Sequence, residues 1–202
     1  MIGHRIILAS ASPRRRDILH QFGLDPVIIE SSFDESTVRE TDPAKLVREL
    51  SAGKAAAVQP HMEPGDLLIA ADTVVAIDGK ILGKPADDAE AEAMIREIAG
   101  RHHDVFTGVT LLYRSKQGRM YRKNFADRTA VDVMPLTEAE IREYIESGDH
   151  RGKAGAYAIQ GVFGQYVRRI RGDVYTVIGL PGARTMAGLK ELLRRAGEEG
   201  PC

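Results

Sequence analysis

Short apolar runs alternate with amphipathic stretches along almost all of the 202 residues. Arg5-Ile6-Ile7-Leu8-Ala9 is a mostly apolar run of strand type. It gives way to Ser12 and Pro13 and then to an apolar stripe of Ile18, Leu19 and Phe22, which predicts a helix capped by Ser12 and closed at Gly23. Val27-Ile28-Ile29 reads as a second strand, and Glu30 to Thr41 as a polar loop. A helix follows, capped by Asp42, entered at Pro43 and running to about Val58, before Pro60, Pro64 and Gly65 break the chain. "DLLIAADTVVAI" has the pattern of a long buried strand that turns at Asp78-Gly79 into Lys80-Ile81-Leu82. "ADDAEAEAMIREIAG" predicts a helix that buries Met94, Ile95 and Ile98. Residues 103 to 113 and 119 to 134 predict two strands joined near Gln117-Gly118. "TEAEIREYIESG" carries a capping box, Thr137 with Glu140, and a stripe of Ile141, Tyr144 and Ile145. After the small-residue loop "GKAGAYAIQG" come two strand-like runs, about 165 to 171 and 174 to 179, and a final helix from Pro181 to Ala196. This order predicts an α/β chain with a mixed sheet containing antiparallel hairpins, free of repeats, low-complexity linkers and sharp domain boundaries.

Composition narrows the class. With 43% hydrophobic and 28% charged residues, the chain can bury one sizeable core or two small lobes that share a cleft. Lys+Arg at 28 against Asp+Glu at 29 leave a net charge of −1, so any basic site is local, and nothing global points to nucleic acid or an anionic membrane. Aromatic residues at 5%, no tryptophan and no basic stripe also argue against a nucleic-acid-binding module. The only cysteine is Cys202 at the C-terminus, a poor place for a disulfide scaffold, a thiolate metal site or a nucleophile. No apolar signal region precedes the first strand and no apolar run approaches the ~20 residues of a membrane span, which predicts a cytoplasmic protein.

The informative residues are those at odds with their surroundings. Arg14, Arg15 and Arg16 occupy the first turn of a helix, where the backbone already carries about half a positive charge. Either they splay into solvent, or an anion such as a phosphate sits on the free N–H groups and converts them into ligands. Asp72 interrupts a buried strand, either as a carboxylate capping nearby backbone or as a metal-binding or catalytic group. Lys54 falls on the ladder Leu46, Leu50, Lys54, Val58, so its ammonium either snorkels or points into a site. Lys84 precedes Pro85 and by itself is an ordinary exposed lysine. Glu35, next to Asp34, is either solvated or able to hold a divalent cation with Asp72. His102-His103-Asp104 opens a strand whose alternation separates the two rings, which disfavours a zinc site. No P-loop and no G-x-S-x-G elbow is present. Taken together, Arg14, Arg15, Lys54 and Lys84 can surround a polyphosphate, with Asp72 and Glu35 carrying a metal: the equipment of a nucleotide site.

"LASASPRRRDIL", "AADTVVAIDGKILGKP", "TGVTLLY", "KAGAYAIQG" and "VIGLP" resemble, in order and spacing over nearly the whole chain, the Maf proteins, nucleoside triphosphate pyrophosphatases named for an effect on septum formation. The resemblance implies one domain over residues 1–202 and a mixed-sheet α/β fold with two lobes around a deep cleft, similar to the inosine triphosphate pyrophosphatases. It also implies a homodimer and hydrolysis between the α- and β-phosphates with Mg²⁺ or Mn²⁺. By motif position, Ser10, Arg14 and Arg15 would contact phosphates, and Lys54 and Lys84 would stabilise charge. Glu35 would bind metal, and Asp72 would bind metal and orient or deprotonate the attacking water. "DTV" and "AGAYAIQG" are similar to the branch preferring dTTP and UTP, with modified pyrimidine nucleotides as an extension, so Thr73 and Gln160 are the candidates for reading the base. Two positions depart from the family pattern: Gly152 stands where an aspartate is usual, and Thr176 where an asparagine is common. The alternative is a non-catalytic nucleotide-binding regulator of division, which would need the phosphate cage and not the carboxylates.

Overall fold

The computed structural model describes residues 3–198; Met1, Ile2 and residues 199–202, with Cys202 among them, lie outside the described residues. The chain divides into two compact units made of interleaved segments: Met1–Asp72, Thr107–Ala126 and Gly179–Cys202 form the first, Thr73–Phe106 and Asp127–Ile178 the second.

In the first unit, β1 (Ile6–Leu8) pairs in parallel with β2 (Val27–Ile28) on one side and with the start of β3 (Leu67–Ile77) on the other. Helix α1 (Pro13–Gln21) connects β1 to β2, and α2 (Pro43–Val58) leads back to β3. The strand order therefore reverses at β1, and the space beyond its carboxyl end is where open α/β sheets place ligands. Asp42 starts α2 by accepting from the Lys45 amide at 2.9 Å. The helix rests on a core of Ile7, Ala9, Ala55, Val58, Met62, Leu68, Ala70 and Leu112. Fully burying an aliphatic side chain of this kind stabilises by about 1.5–3 kcal/mol. On β5 (His102–Arg114), Gly108 lets α2 approach, since a Cβ there would strike the Val47 carbonyl. Ser51 meets Thr110 at 3.0 Å, and Asn124, on β6 (Met120–Val133), donates to Thr110 at 2.7 Å, so α2 is also tied to the sheet by hydrogen bonds.

In the second unit the hairpin from β3 into β4 (Lys80–Leu82) turns at Asp78 and Gly79, both with positive φ, as a two-residue primed turn requires. Helix α3 (Asp88–Ile98) is capped by Asp87, and α4 (Glu138–Glu146) by the Thr137–Glu140 box. Their stripes, Ala91, Met94, Ile95 and Ile98 with Ile141, Tyr144 and Ile145, close on Tyr157 and Phe163. Strand β7 (Val167–Arg171) pairs antiparallel with β6. Over the chain the strands run β2-β1-β3-β5-β6-β7 with β4 on β3, a seven-stranded mixed sheet flanked by helices, as the element order predicts. Among the described residues no helix is long and apolar enough to cross a membrane.

Two local expectations are corrected. The run 174 to 179 is not a strand: Val174–Ile178 forms a short helix, α5, ahead of the last helix, α6 (Gly182–Arg195). The Asp173 carboxylate accepts from the Tyr175 amide at 2.9 Å and its carbonyl accepts from the Thr176 amide at 3.0 Å. That local capping outweighs the β preference of Val174, Tyr175, Thr176, Val177 and Ile178. At α1, Ser12 is the first flanking residue, but its hydroxyl caps nothing. Instead Ser10 Oγ accepts from the Ser12 amide at 3.2 Å.

One buried group makes the fold sensitive to acid. His103, on β5, is 1% exposed, and its Nε2 lies 2.7 Å from the Tyr157 hydroxyl. Burial pushes its pKa down from 6.5 to about 4, with His102 acting in the same direction and Asp104 and Asp132 opposing. Between these values the unfolded chain binds a proton that the folded chain refuses. The stability held by neutral His103 is therefore complete above pH 6.5 and is lost as pH falls towards 4. Urea unfolding across that window should show a loss of order 3 kcal/mol. His103→Gln should flatten that part of the profile.

Candidate active site

The Lys54 ammonium is the centre of the site. It donates to Asp72 Oδ1 and pairs with Glu35 Oε1 at 2.8 Å, binding two carboxylates from separate parts of the first unit. Each is placed by backbone. Asp72 lies three residues beyond Ile69, which pairs with Leu8, so β3 carries it past the carboxyl end of β1. Lys54 is on α2 one turn from Leu50 and Val58, both buried, so its stem runs along the apolar face and its head reaches Asp72. Glu35 comes from the turn Glu35–Thr37, whose loop is fixed by an aromatic contact: the Phe33 ring occupies the place a Cβ on Gly53 would need. A glycine inside a helix costs about 1 kcal/mol against alanine, and here it lets the loop lie on α2 next to Lys54. Asp34 is used differently. Its carboxylate accepts from the Ser36 hydroxyl at 2.7 Å and amide at 3.0 Å, which lowers its pKa, while Glu35 faces Lys54.

The arginines at the start of α1 separate. Arg16 is exposed beside Asp17, Arg14 is half-buried, and Arg15 is buried. Arg15 Nε donates to the Gly179 carbonyl and its Nη1 to Ser10 Oγ, each at 2.9 Å. Burial lowers the Arg15 pKa, and the field of Asp72 opposes that shift. Arg15 thus ties the start of α1 to the "VIGLP" segment and holds Ser10 at the carboxyl end of β1. Gly179, at φ +125, offers its carbonyl from a backbone conformation that side chains rarely adopt.

Ser10, Arg14, Arg15, Glu35, Lys54 and Asp72 all belong to the first unit. Thr73, Lys84 and Gln160 belong to the second. There Thr73 is half-buried on β3, Lys84 is exposed after Gly83, and Gln160 is exposed in the turn closed by the Gly161 amide on the Ala158 carbonyl at 3.2 Å. Gly152, at φ +68, is in the left-handed region, and the carboxylate next to Lys153 comes from Asp149 at 2.9 Å. Two residues escaped the sequence reading. Gly53 carries a readable signal, an unexplained glycine inside a helix. The Gly179 carbonyl carries none, because a backbone acceptor leaves no trace in residue type.

Asp72 and Glu35 meet on one ammonium, and carboxylate oxygens are donors of the kind hard cations take together with waters and phosphates; among the described residues no group of three or more acidic, histidine or cysteine side chains is gathered for a metal. Arg15 and Lys54 are the buried and nearly buried cations that face these carboxylates.

A carboxylate pair on a lysine, at the switch point of a mixed sheet and beside an arginine-bearing helix start, gives this α/β protein a candidate site for phosphorylated ligands. The chain belongs to the Maf family: the profile described as Maf-like protein matches residues 5–192. It is 42% identical over 188 residues to the dTTP/UTP pyrophosphatase of Lachnoclostridium phytofermentans, covering 93% of this chain and 95% of that one. It is 43% identical to the dTTP/UTP pyrophosphatases of Agathobacter rectalis, covering 93% and 97%, and of Bacillus velezensis, covering 93% and 96%. Among solved structures, a nucleoside-triphosphatase / dITP/XTP pyrophosphatase from Mycobacterium abscessus aligns with a TM-score of 0.42 and 16% identity over 96% of this chain and 97% of that one.

Removing the lysine should separate stability from turnover. Lys54 and Asp72 are 12% and 11% exposed at their side chains, so Lys54→Met leaves a carboxylate buried without its cation. The expected cost is about 1–3 kcal/mol in urea unfolding. Lys54→Met with Asp72→Asn should regain part of that stability and none of the activity.

Proposed function

We propose that this protein hydrolyses dTTP and UTP to the monophosphate and pyrophosphate. The observation that carries the reading is the Asp72–Lys54–Glu35 cluster at the end of β1, in a chain of the Maf family whose relatives bear that activity in their names. Water attacks the α-phosphorus, the bond from that phosphorus to the α,β-bridging oxygen breaks, and pyrophosphate leaves. In such a displacement positioning and electrostatics matter more than covalent chemistry.

Asp72 orients the water and takes its proton. Lys54 and Lys84 offset charge on the transferring and leaving phosphates, and Ser10, Arg14 and Arg15 hold the triphosphate, with Arg15 also fixing Ser10. Asp72 and Glu35 would hold Mg²⁺ or Mn²⁺, which when bound neutralises phosphate charge and polarises the phosphoryl oxygen. Thr73 and Gln160 read the pyrimidine; an amide both donates to and accepts from a uracil-type edge. Residues 1–202 act as one domain, in a cytoplasmic homodimer.

Pyrophosphate release from a panel of natural and modified nucleoside triphosphates tests this. Release should favour UTP and dTTP, stop on chelation, and return with Mg²⁺ or Mn²⁺. Asp72→Asn should lower turnover at least about 100-fold while nucleotide binding persists. Gln160→Ala should narrow the preference among bases. A folded protein that binds nucleotide and releases no pyrophosphate from any would instead be a regulator.

A further inference from the structure

One carboxylate closes the segment that carries Gln160. Asp149 Oδ1 accepts from Lys153 Nζ at 2.9 Å, where the segment begins, and Oδ2 accepts from the Val162 amide at 3.0 Å, where it ends. The same ammonium donates to the Asp149 carbonyl. Gly161 lies under the carboxylate so closely that a Cβ there would sit 2.8 Å from the Asp149 carboxyl carbon. Asp149 and Lys153 are only 23% and 13% exposed at their side chains, so water screens the pair weakly.

Between these ends, the first half of the segment has contacts of its own, and beyond the second half Phe163 is buried among Tyr144, Tyr157 and Tyr166. The Gly155 amide donates to the Gly83 carbonyl at 2.9 Å, the Tyr144 hydroxyl donates to the Ala156 carbonyl at 2.9 Å, and the Tyr157 hydroxyl meets His103. From Ala158 to Gly161 the chain makes a single turn, with Gln160 at its third position, and Asp149 accepts from the amide of Val162 immediately after it.

We propose that Asp149 is a positioning residue for base selection: by joining Lys153 to the Val162 amide it fixes the turn that presents Gln160. This rests on the assignment of Gln160 to base recognition. A carboxylate that only stabilised the fold would, on removal, weaken every substrate by one factor. A carboxylate that positions the turn changes KM and the ranking of bases while the chemical step continues.

The test compares Asp149→Ala with wild type, Gln160→Ala and the double variant, measuring kcat and KM for UTP and CTP and hydrogen exchange of residues 158–163. For Asp149→Ala, KM for UTP should rise about tenfold with kcat within about threefold. The preference for UTP over CTP should shrink about tenfold, towards that of Gln160→Ala, and the double variant should lose little more. Exchange in 158–163 should quicken while that of α3 and α4 stays unchanged. An unchanged preference, or an equal loss on both nucleotides, overturns the proposal. Should Asp149→Ala fail to fold, Asp149→Asn keeps an acceptor for Val162 while removing the charge that faces Lys153. It should narrow the preference by a smaller factor, and an unchanged ratio again overturns the proposal. A wild-type protein that hydrolyses no nucleotide, or shows no preference for UTP over CTP, removes the functional reading on which base selection rests. Exchange then still decides whether Asp149 holds the turn, faster exchange supporting that role and unchanged exchange overturning it.

Discussion

The first unit is organised around a lysine that must satisfy two carboxylates. An ammonium on the apolar stripe of α2 and a carboxylate inside β3 are each unfavourable alone, because each loses hydration. Together, with Glu35 as a third member, they form a cluster in which every charge has an opposite neighbour. The surrounding geometry serves that contact. Gly108 lets α2 approach the sheet, Ser51 and Thr110 tie the helix to it, and Gly53 leaves room for the Phe33 loop that delivers Glu35. Small residues at these positions follow from the needs of the cluster.

Much of this was legible because the relevant signals are local. Asp42 followed by Pro43 marks a helix start through its own side chain. Asp78-Gly79 marks a hairpin through the φ angles that pair of residues accepts, and Thr137 with Glu140 marks a cap through mutual hydrogen bonds. Asp72 and Lys54 stood out because each violates the apolar pattern around it, and the structure joins them. The misread places are those where a side chain acts on a residue other than the one composition suggests. Ser10, not Ser12, receives the amide at the start of α1, and the Asp173 carboxylate makes a helix of five residues that would otherwise be taken for a strand. Gly179 shows the limit most clearly, since its carbonyl receives Arg15 across 164 positions of sequence.

Gly152 illustrates how a departure from pattern is resolved. The missing side chain at that position reads as the loss of a charge beside Lys153. In the fold, that backbone turns through φ +68, where glycine is favoured, and Asp149 supplies the carboxylate from one helical turn's distance in sequence. Lys153 therefore has a carboxylate partner without a side chain at position 152. Thr176 is likewise engaged in place, its hydroxyl donating to Asp127 at 3.1 Å.

On the proposed function, the central cluster also bears on how a polyanion would be received by the first unit. Without phosphate, Lys54 is held by Asp72 and Glu35, and Arg15 donates to a carbonyl and a hydroxyl while the charges of Asp72 and Glu35 act on it. The cations and carboxylates of the cluster thus lie within one another's fields, next to a helix start whose backbone adds positive potential. On the proposed function, a triphosphate would engage the arginines and compete with Asp72 and Glu35 for Lys54, leaving their oxygens for a divalent cation. On that reading Arg14 and Arg15 at the wrong end of a helix, and a lysine on an apolar stripe, are unfavourable by themselves and are offset by the ligand.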